Sequence, residues 1–335
     1  MRVTVLGAGS WGTTVAALAS LGNPTLLWAR DPEVAESIDR RHENAKYLRG
    51  FELPERLRAT ADLEEAVGSA QLLVVGVPTS GFRATLEAAK RFVHPWIPVV
   101  SLSKGFERGS LLRMTQVIAQ VLPGHPAAAL TGPNLAKEIL AGNAAASVIA
   151  TEDLTVAAAL QRVFACGLFR VYTNHDVVGC EIGGALKNVI AIATGMAQGL
   201  GVGDNTRATV IARGLGELTR LGVAMGGEPA TFAGLAGLGD LVATCISPQS
   251  RNRTVGEQLG RGRKLDEILA SLGMVAEGVK TVGTAIELAQ RHQLRLPICE
   301  AVHRVILGEA SATDAYAGLR KLQPGHEFDP DPHPA

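Results

Sequence analysis

A doubly wound α/β sheet followed by an all-helical half is the fold class that this 335-residue sequence predicts, and three observations predict it. Up to about residue 175, short Val/Ile/Leu-rich runs alternate with helical patterns, as a parallel sheet covered on both faces requires. After about Asn174 those runs stop and long Ala/Leu/Gly helical patterns take over. A glycine cluster, Gly7 to Gly12, sits between the first run and the first helical pattern, where such a sheet opens its ligand crevice.

Taken in order, the apolar runs predict strands at 3–6, 25–29, 72–77, 99–102, 128–131, 147–150 and 169–172, with helices fitting between most of them. Helices are predicted at about 177–200, 205–222, 252–260, 278–292 and 297–307. The domains follow as 1–175 and 176–322, and a Pro-rich segment at 323–335 reads as a disordered tail. His175-Asp176 reads as a turn between the domains.

A 47% hydrophobic composition can fill two cores, which excludes disorder over most of the length. Lys+Arg (32) cancels Asp+Glu (32), so no broad basic field exists to draw in nucleic acid or anionic lipid. Cys166, Cys180, Cys245 and Cys299 are too far apart for zinc or redox motifs, and the histidines are scattered, so no metal is expected. A reducing cytoplasm suits these thiols, and the chain enters its first strand without an export leader. The uncharged stretch 188–203 is too short for stable membrane insertion.

Strand 3–6 runs at once into Gly7-Ala8-Gly9-Ser10-Trp11-Gly12 and a helical pattern. This is Gly-x-Gly-x-x-Gly in the context a dinucleotide requires, the hallmark of a Rossmann-type domain. Gly7 permits the tight turn, Gly9 lets main chain approach a pyrophosphate, and Gly12 lets helix and strand pack closely. The helix N-terminus supplies N–H donors. About twenty residues on, Arg30 suits a ribose 2′-phosphate and Asp31 a free 2′-hydroxyl, which leaves NADPH and NADH both open. Asp31-Pro32 also reads as a plain helix cap.

Lys104 follows the strand at 99–102 on the edge that faces a ligand. Lys187 and Asn188 interrupt an apolar helix, and Lys187 shares a face with Gly183, Gly184, Ala191 and Thr194. Such a small face admits close approach by a domain or a ligand, and a desolvated lysine on it is a general acid/base candidate. The alternative is a lysine whose head snorkels to water. Ser250 is an N-cap candidate for the helix bearing Arg251 and Asn252, a suitable seat for a phosphate. Asp240 reads equally as a cap and Arg253 as a surface charge, and Glu277 carries a similar ambiguity.

These motifs stand in one register with Leu27-Trp28-Ala29-Arg30, Ser103-Lys104-Gly105, Gly132-Pro133, Gly203-Asp204-Asn205-Thr206, Gly237-Leu238-Gly239-Asp240-Leu241 and Glu277-Gly278. From about Met1 to Leu322 the chain thereby resembles the bacterial NAD(P)-dependent sn-glycerol-3-phosphate dehydrogenases. The resemblance implies reversible reduction of dihydroxyacetone phosphate to sn-glycerol 3-phosphate for phospholipid synthesis, with Lys187 exchanging the proton. It implies substrate contacts from Lys104, Gly132, Asn134, Asn188, Asp240, Thr244, Ser250, Arg251 and Asn252. It implies cofactor contacts from Gly7, Gly9, Ser10, Trp11, Gly12, Arg30, Tyr47, Lys104, Ala136, Arg251, Val275 and Glu277, and a homodimer. Asn134 departs from the family, which commonly has Ser or Thr there, although an amide still donates. Two other readings are a dehydrogenase acting on a β-hydroxyacid and a dinucleotide sensor without chemistry, the latter disfavoured by the presence of Lys187.

Overall fold

The computed structural model describes residues 1–272 and 276–321 of the chain, so Val275 and the Pro-rich tail lie outside the described residues. The chain divides into two compact units, Met1–Val177 and one that begins at Val178.

In the first unit the strands are β1 (Val3–Leu6), β2 (Thr25–Trp28), β3 (Arg58–Thr60), β4 (Leu72–Val75), β5 (Val99–Ser101), β6 (Ala127–Thr131), β7 (Ala145–Ala150) and β8 (Phe169–Asn174). The helices are α1 (Ser10–Ser20), α2 (Pro32–Arg41), α3 (Leu63–Gly68), α4 (Thr79–Ala89), α5 (Met114–Val121), α6 (Ala136–Leu140) and α7 (Leu154–Phe164). The sheet order is β3-β2-β1-β4-β5-β6-β7-β8. Every neighbouring pair is parallel except β6 and β7. Five-residue α6, about 7.5 Å long, is too short to carry the chain back along a strand of roughly 17 Å, so β7 returns antiparallel.

Sheet burial on both faces is visible along β4. Leu72 and Val74 join one apolar cluster while Leu73 and Val75 join another, as alternation in a strand requires. The three-residue edge strand β3 carries no apolar run, which is why periodicity misses it. Asp39 holds it from α2, accepting from the Arg58 guanidinium and from Ala59 N. Asp31 caps α2 by accepting from Glu33 N, with Pro32 in the first turn. His175 and Asp176 form the link between β8 and the next helix, and Asp176 N donates to Asn174 Oδ1.

The second unit holds α8 (Val177–Gly199), α9 (Asp204–Ala224), α10 (Pro229–Ala233), α11 (Asp240–Ile246), α12 (Arg251–Gly260), α13 (Leu265–Leu272), α14 (Glu277–Arg291), α15 (Pro297–Ile306) and α16 (Ala312–Arg320). A π-helical turn, Leu235–Gly239, leads into α11. The sequence patterns miss α10, α11, α13 and α16, which are all short. Helix α8 is long and apolar enough to cross a membrane, yet 89% of its most apolar stretch is buried, as in a core helix.

Helices α8 and α12 meet main chain to main chain. A Cβ on Gly195 would lie 2.1 Å from Arg253 O, on Gly199 2.2 Å from Glu257 O, on Gly256 2.0 Å from Ile192 O and on Gly260 2.4 Å from Met196 O. The small face of α8 that carries Gly183 likewise receives main chain, because a Cβ there would lie 2.8 Å from Ala236 O. Protein from the same unit therefore fills part of the space that the sequence offered to a domain or a ligand.

Buried Glu217 of α9 caps α15, where its carboxylate accepts from Ile298 N at 2.7 Å and Cys299 N at 3.1 Å. Burial raises its pKa to about 7, against the opposing effect of these bonds.

Two predictions follow from these contacts. Gly256→Ala must separate two helices or displace main chain, and is expected to lower the unfolding free energy by at least about 3 kcal/mol in urea titration. Because the folded state holds the Glu217 proton more tightly than the unfolded state, wild-type stability should fall between pH 4.5 and about 7 relative to Glu217→Gln. The difference should be on the order of 3 kcal/mol across that window, read from unfolding midpoints at several pH values.

Candidate active site

Lys187 lies in the middle of α8 with 6% exposure, so its head does not snorkel to water. Its ammonium donates to Asp240 Oδ1 at 2.7 Å and to Thr244 Oγ1 at 2.6 Å. Both acceptors sit on α11 one turn apart, hence on one face. Thr244 donates its own proton to the main-chain oxygen of Asp240 at 2.7 Å, which turns a lone pair toward the lysine. An ammonium has three donors, so this pairing leaves one for a ligand. Behind the group, Thr194 Oγ1 lies 3.5 Å from Cys245 Sγ, and burial pushes that thiol up to about 11.

The next residue, Asn188, accepts from Asn252 Nδ2 at 2.8 Å, while Asn252 Oδ1 accepts from Gly278 N at 3.0 Å. Asn252 thus ties α8, α12 and the start of α14 together, and its carbonyl is engaged by the scaffold. Ser250 caps α12 as the sequence predicts, accepting from Arg253 N at 3.3 Å. Arg251 opens the helix, where burial lowers its pKa and the charge of Glu277 raises it, although the side chain still reaches water. Arg253 is no surface charge: it is 8% exposed and donates to Ser247 O, Gln198 Oε1 and Glu257 Oε2. Sequence reasoning misses this because the partners lie on three different elements.

In the first unit Gly7 has φ +112°, and a Cβ there would lie 2.8 Å from Gly76 O. A Cβ on Gly12 would lie 2.1 Å from Gly7 O, so helix and strand pack as the motif predicts. At Gly9 a Cβ would meet open space, and no side chain caps α1 there. The first-turn N–H groups, those of Ser10, Trp11 and Gly12, therefore face an open cradle with no acidic residue in that turn. A pyrophosphate fits this cradle in shape and in charge. The Trp11 ring packs edge-on to Phe169, and its buried Nε1 has no partner among the described residues.

Buried Asn44, which the sequence does not reveal, braces the loop by donating to Ala8 O and Thr13 Oγ1, both at 2.9 Å. Its Oδ1 accepts from Tyr47 N at 3.3 Å and so brings Tyr47 toward the glycine loop. Ala136 opens α6, which packs against α1. Arg30 is exposed just beyond β2 and makes no ion pair among the described residues. Asp31 is engaged as the α2 cap and with Lys46 Nζ at 2.9 Å, and that ammonium holds its carboxyl below the usual range. Half-buried Lys104 donates to Gly132 O at 2.8 Å. Gly132 has φ +126°, and a Cβ there would lie 3.2 Å from Ser147 Cα. Asn134 Oδ1 accepts from Ser147 Oγ, and its buried Nδ2 has no partner among the described residues. The amide nitrogen is thus a donor without a partner among the described residues. No three His, Cys, Asp or Glu side chains are grouped to hold a metal among the described residues.

Residues 2–157 match the family model for the NAD-dependent glycerol-3-phosphate dehydrogenase N-terminus, and residues 176–317 match that for the C-terminus. The chain is 57% identical to the glycerol-3-phosphate dehydrogenase NAD(P)+ 2 of Sphingopyxis alaskensis, over 98% of this chain and 99% of that protein. It is 53% identical to the corresponding Mycobacterium avium enzyme, over 97% and 96%. The crystal structure of glycerol-3-phosphate dehydrogenase from Coxiella burnetii superposes with a TM-score of 0.91 at 34% identity, covering 96% of this chain and 98% of that one. With both halves matched and relatives of this identity along nearly the whole length, the chain belongs to the NAD-dependent glycerol-3-phosphate dehydrogenase family.

Proposed function

We propose that the protein reduces dihydroxyacetone phosphate to sn-glycerol 3-phosphate with NAD(P)H, reversibly, and so supplies glycerol phosphate for phospholipid synthesis. The observation that carries this reading is the buried Lys187 ammonium, held by Asp240 and Thr244 in a chain of this family. A dinucleotide sensor has no use for such a group.

When bound, the nicotinamide supplies the hydride that reaches the ketone carbon. Gly9 and the α1 N-terminus receive the pyrophosphate, with Ser10, Trp11, Gly12, Tyr47, Ala136, Glu277 and Val275 assigned to the rest of the cofactor. Arg30, exposed and free of ion pairs, takes the ribose 2′-phosphate, so NADPH is the preferred form. The engagement of Asp31 as a cap and with Lys46 supports that choice. Arg251 of the second unit is assigned to the substrate phosphate; in the first unit Lys104 is assigned to the substrate too, and Asn134 Nδ2 offers it a donor. Gly132, Asn188, Ser250 and Asn252 are assigned to the substrate as well.

As negative charge develops on the ketone oxygen, Lys187 donates a proton to it through its third N–H. Asp240 and Thr244 fix the ammonium in place for that transfer and keep it paired while it is buried. In the reverse direction the neutral amine takes the hydroxyl proton. The enzyme works in the cytoplasm as a homodimer; free thiols at Cys166, Cys180, Cys245 and Cys299 suit a reducing compartment.

Oxidation of NADPH followed at 340 nm should require dihydroxyacetone phosphate and fail with dihydroxyacetone or a 3-oxo acid. Absence of turnover in folded, dinucleotide-binding protein would overturn the assignment. Lys187→Arg keeps a cation for Asp240 but cannot surrender a proton, so kcat should fall about 10²- to 10⁴-fold with dinucleotide affinity retained. Arg30→Ala should lower kcat/KM for NADPH by about tenfold or more and leave NADH within about threefold, as steady-state kinetics with each cofactor would read.

A further inference from the structure

We propose that Arg253 is a positioning residue of the active site: its guanidinium locks the helix that presents Arg251 and Asn252 against the helices that carry Lys187 and its two acceptors. This rests on the reading of Lys187 and Arg251 as groups that face the substrate.

Three contacts carry the inference. Arg253 Nε donates to Ser247 O at 2.9 Å, the residue that ends α11, on which Asp240 and Thr244 stand. Its Nη1 donates to Gln198 Oε1 at 2.5 Å, in the last turn of α8, the helix of Lys187 and Asn188. The same nitrogen lies 3.3 Å from Glu257 Oε2 on α12 itself. One side chain therefore bonds to α8, to α12 and to the end of α11, three of the helices that supply the candidate residues of this unit.

Main chain reinforces the arrangement, since the carbonyl oxygen of Arg253 occupies the space that a Cβ on Gly195 would take, 2.1 Å away. Arg253 does not itself reach the ligand. Residues two apart on a helix do not face one another, and while Arg251 meets water, Arg253 is buried. Its influence on the reaction passes through the placement of Arg251 and Asn252.

Charge alone does not make this joint. A lysine at position 253 keeps a cation beside Glu257 but lacks the planar fork that serves Ser247 and Gln198 at once. The consequence is a small displacement of α12 relative to α8, and small displacements of binding groups are felt strongly in catalysis.

The test uses Arg253→Lys and Gln198→Ala in the full chain, with NADPH and dihydroxyacetone phosphate as probes and circular dichroism to count folded protein. Per folded molecule, Arg253→Lys should lose about thirtyfold or more in kcat/KM, with the larger share in KM for dihydroxyacetone phosphate. Gln198→Ala, which leaves every assigned binding group intact, should move KM the same way by about threefold to tenfold. The double variant should lose less than the product of the two, because both act on one joint. Variants with lowered unfolding midpoints but wild-type KM and kcat would overturn the proposal and leave Arg253 a purely structural residue. Should Arg253→Lys fail to fold, wild-type kinetics in Gln198→Ala would overturn it equally. Absence of turnover in the wild type would instead remove the reading beneath it, and the proposal with it.

Discussion

The main-chain contact of α8 with α12 at four glycines is the constraint on which the helical unit depends. Four glycines bring a carbonyl oxygen of one helix to each place where a Cβ would project from the other. Contact between main chains has no rotamers to adjust, so the carbonyl oxygens themselves set how closely the two axes approach. A side-chain interface of Leu and Ile could repack under load. Here the glycines hold the helix of Lys187 and the helix of Arg251 in main-chain contact.

Within that frame Lys187, Asn252 and Glu217 each engage two partners. The buried pair of Lys187 and Asp240 is not a source of stability, because removing two charges from water costs roughly what their attraction returns. It is better understood as a holder for one donor. Thr244 completes the holder, and its own proton is turned away to the Asp240 main chain. Asn252 spans three elements, and Glu217 satisfies the opening turn of α15. A buried network of this kind acts well when all of its members are satisfied and poorly otherwise.

Much of this was legible in the sequence. The glycine motif with its flanking strand and helix, the long helices, and Lys187 as an interruption of an apolar face all follow from local pattern. What periodicity cannot carry is pairing across the chain. Lys187 meets partners 53 and 57 residues away, Arg253 meets Gln198 across 55 positions, and Glu217 caps a helix 81 residues on. Nothing near Arg253 marks it as buried, and an asparagine in a polar loop, such as Asn44, does not reveal that it braces the glycine turn. Strand β3 escaped for a different reason: at an exposed edge its three residues need no apolar side chains. The antiparallel turn of β7 became clear only from the shortness of α6.

The thiol of Cys245, pressed against Thr194 behind the lysine, has a chemical consequence of its own. With its ionisation raised to about 11, about one molecule in ten thousand carries the thiolate at neutral pH. Peroxide and alkylating agents attack the thiolate, so this buried cysteine near Lys187 is a poor target for them.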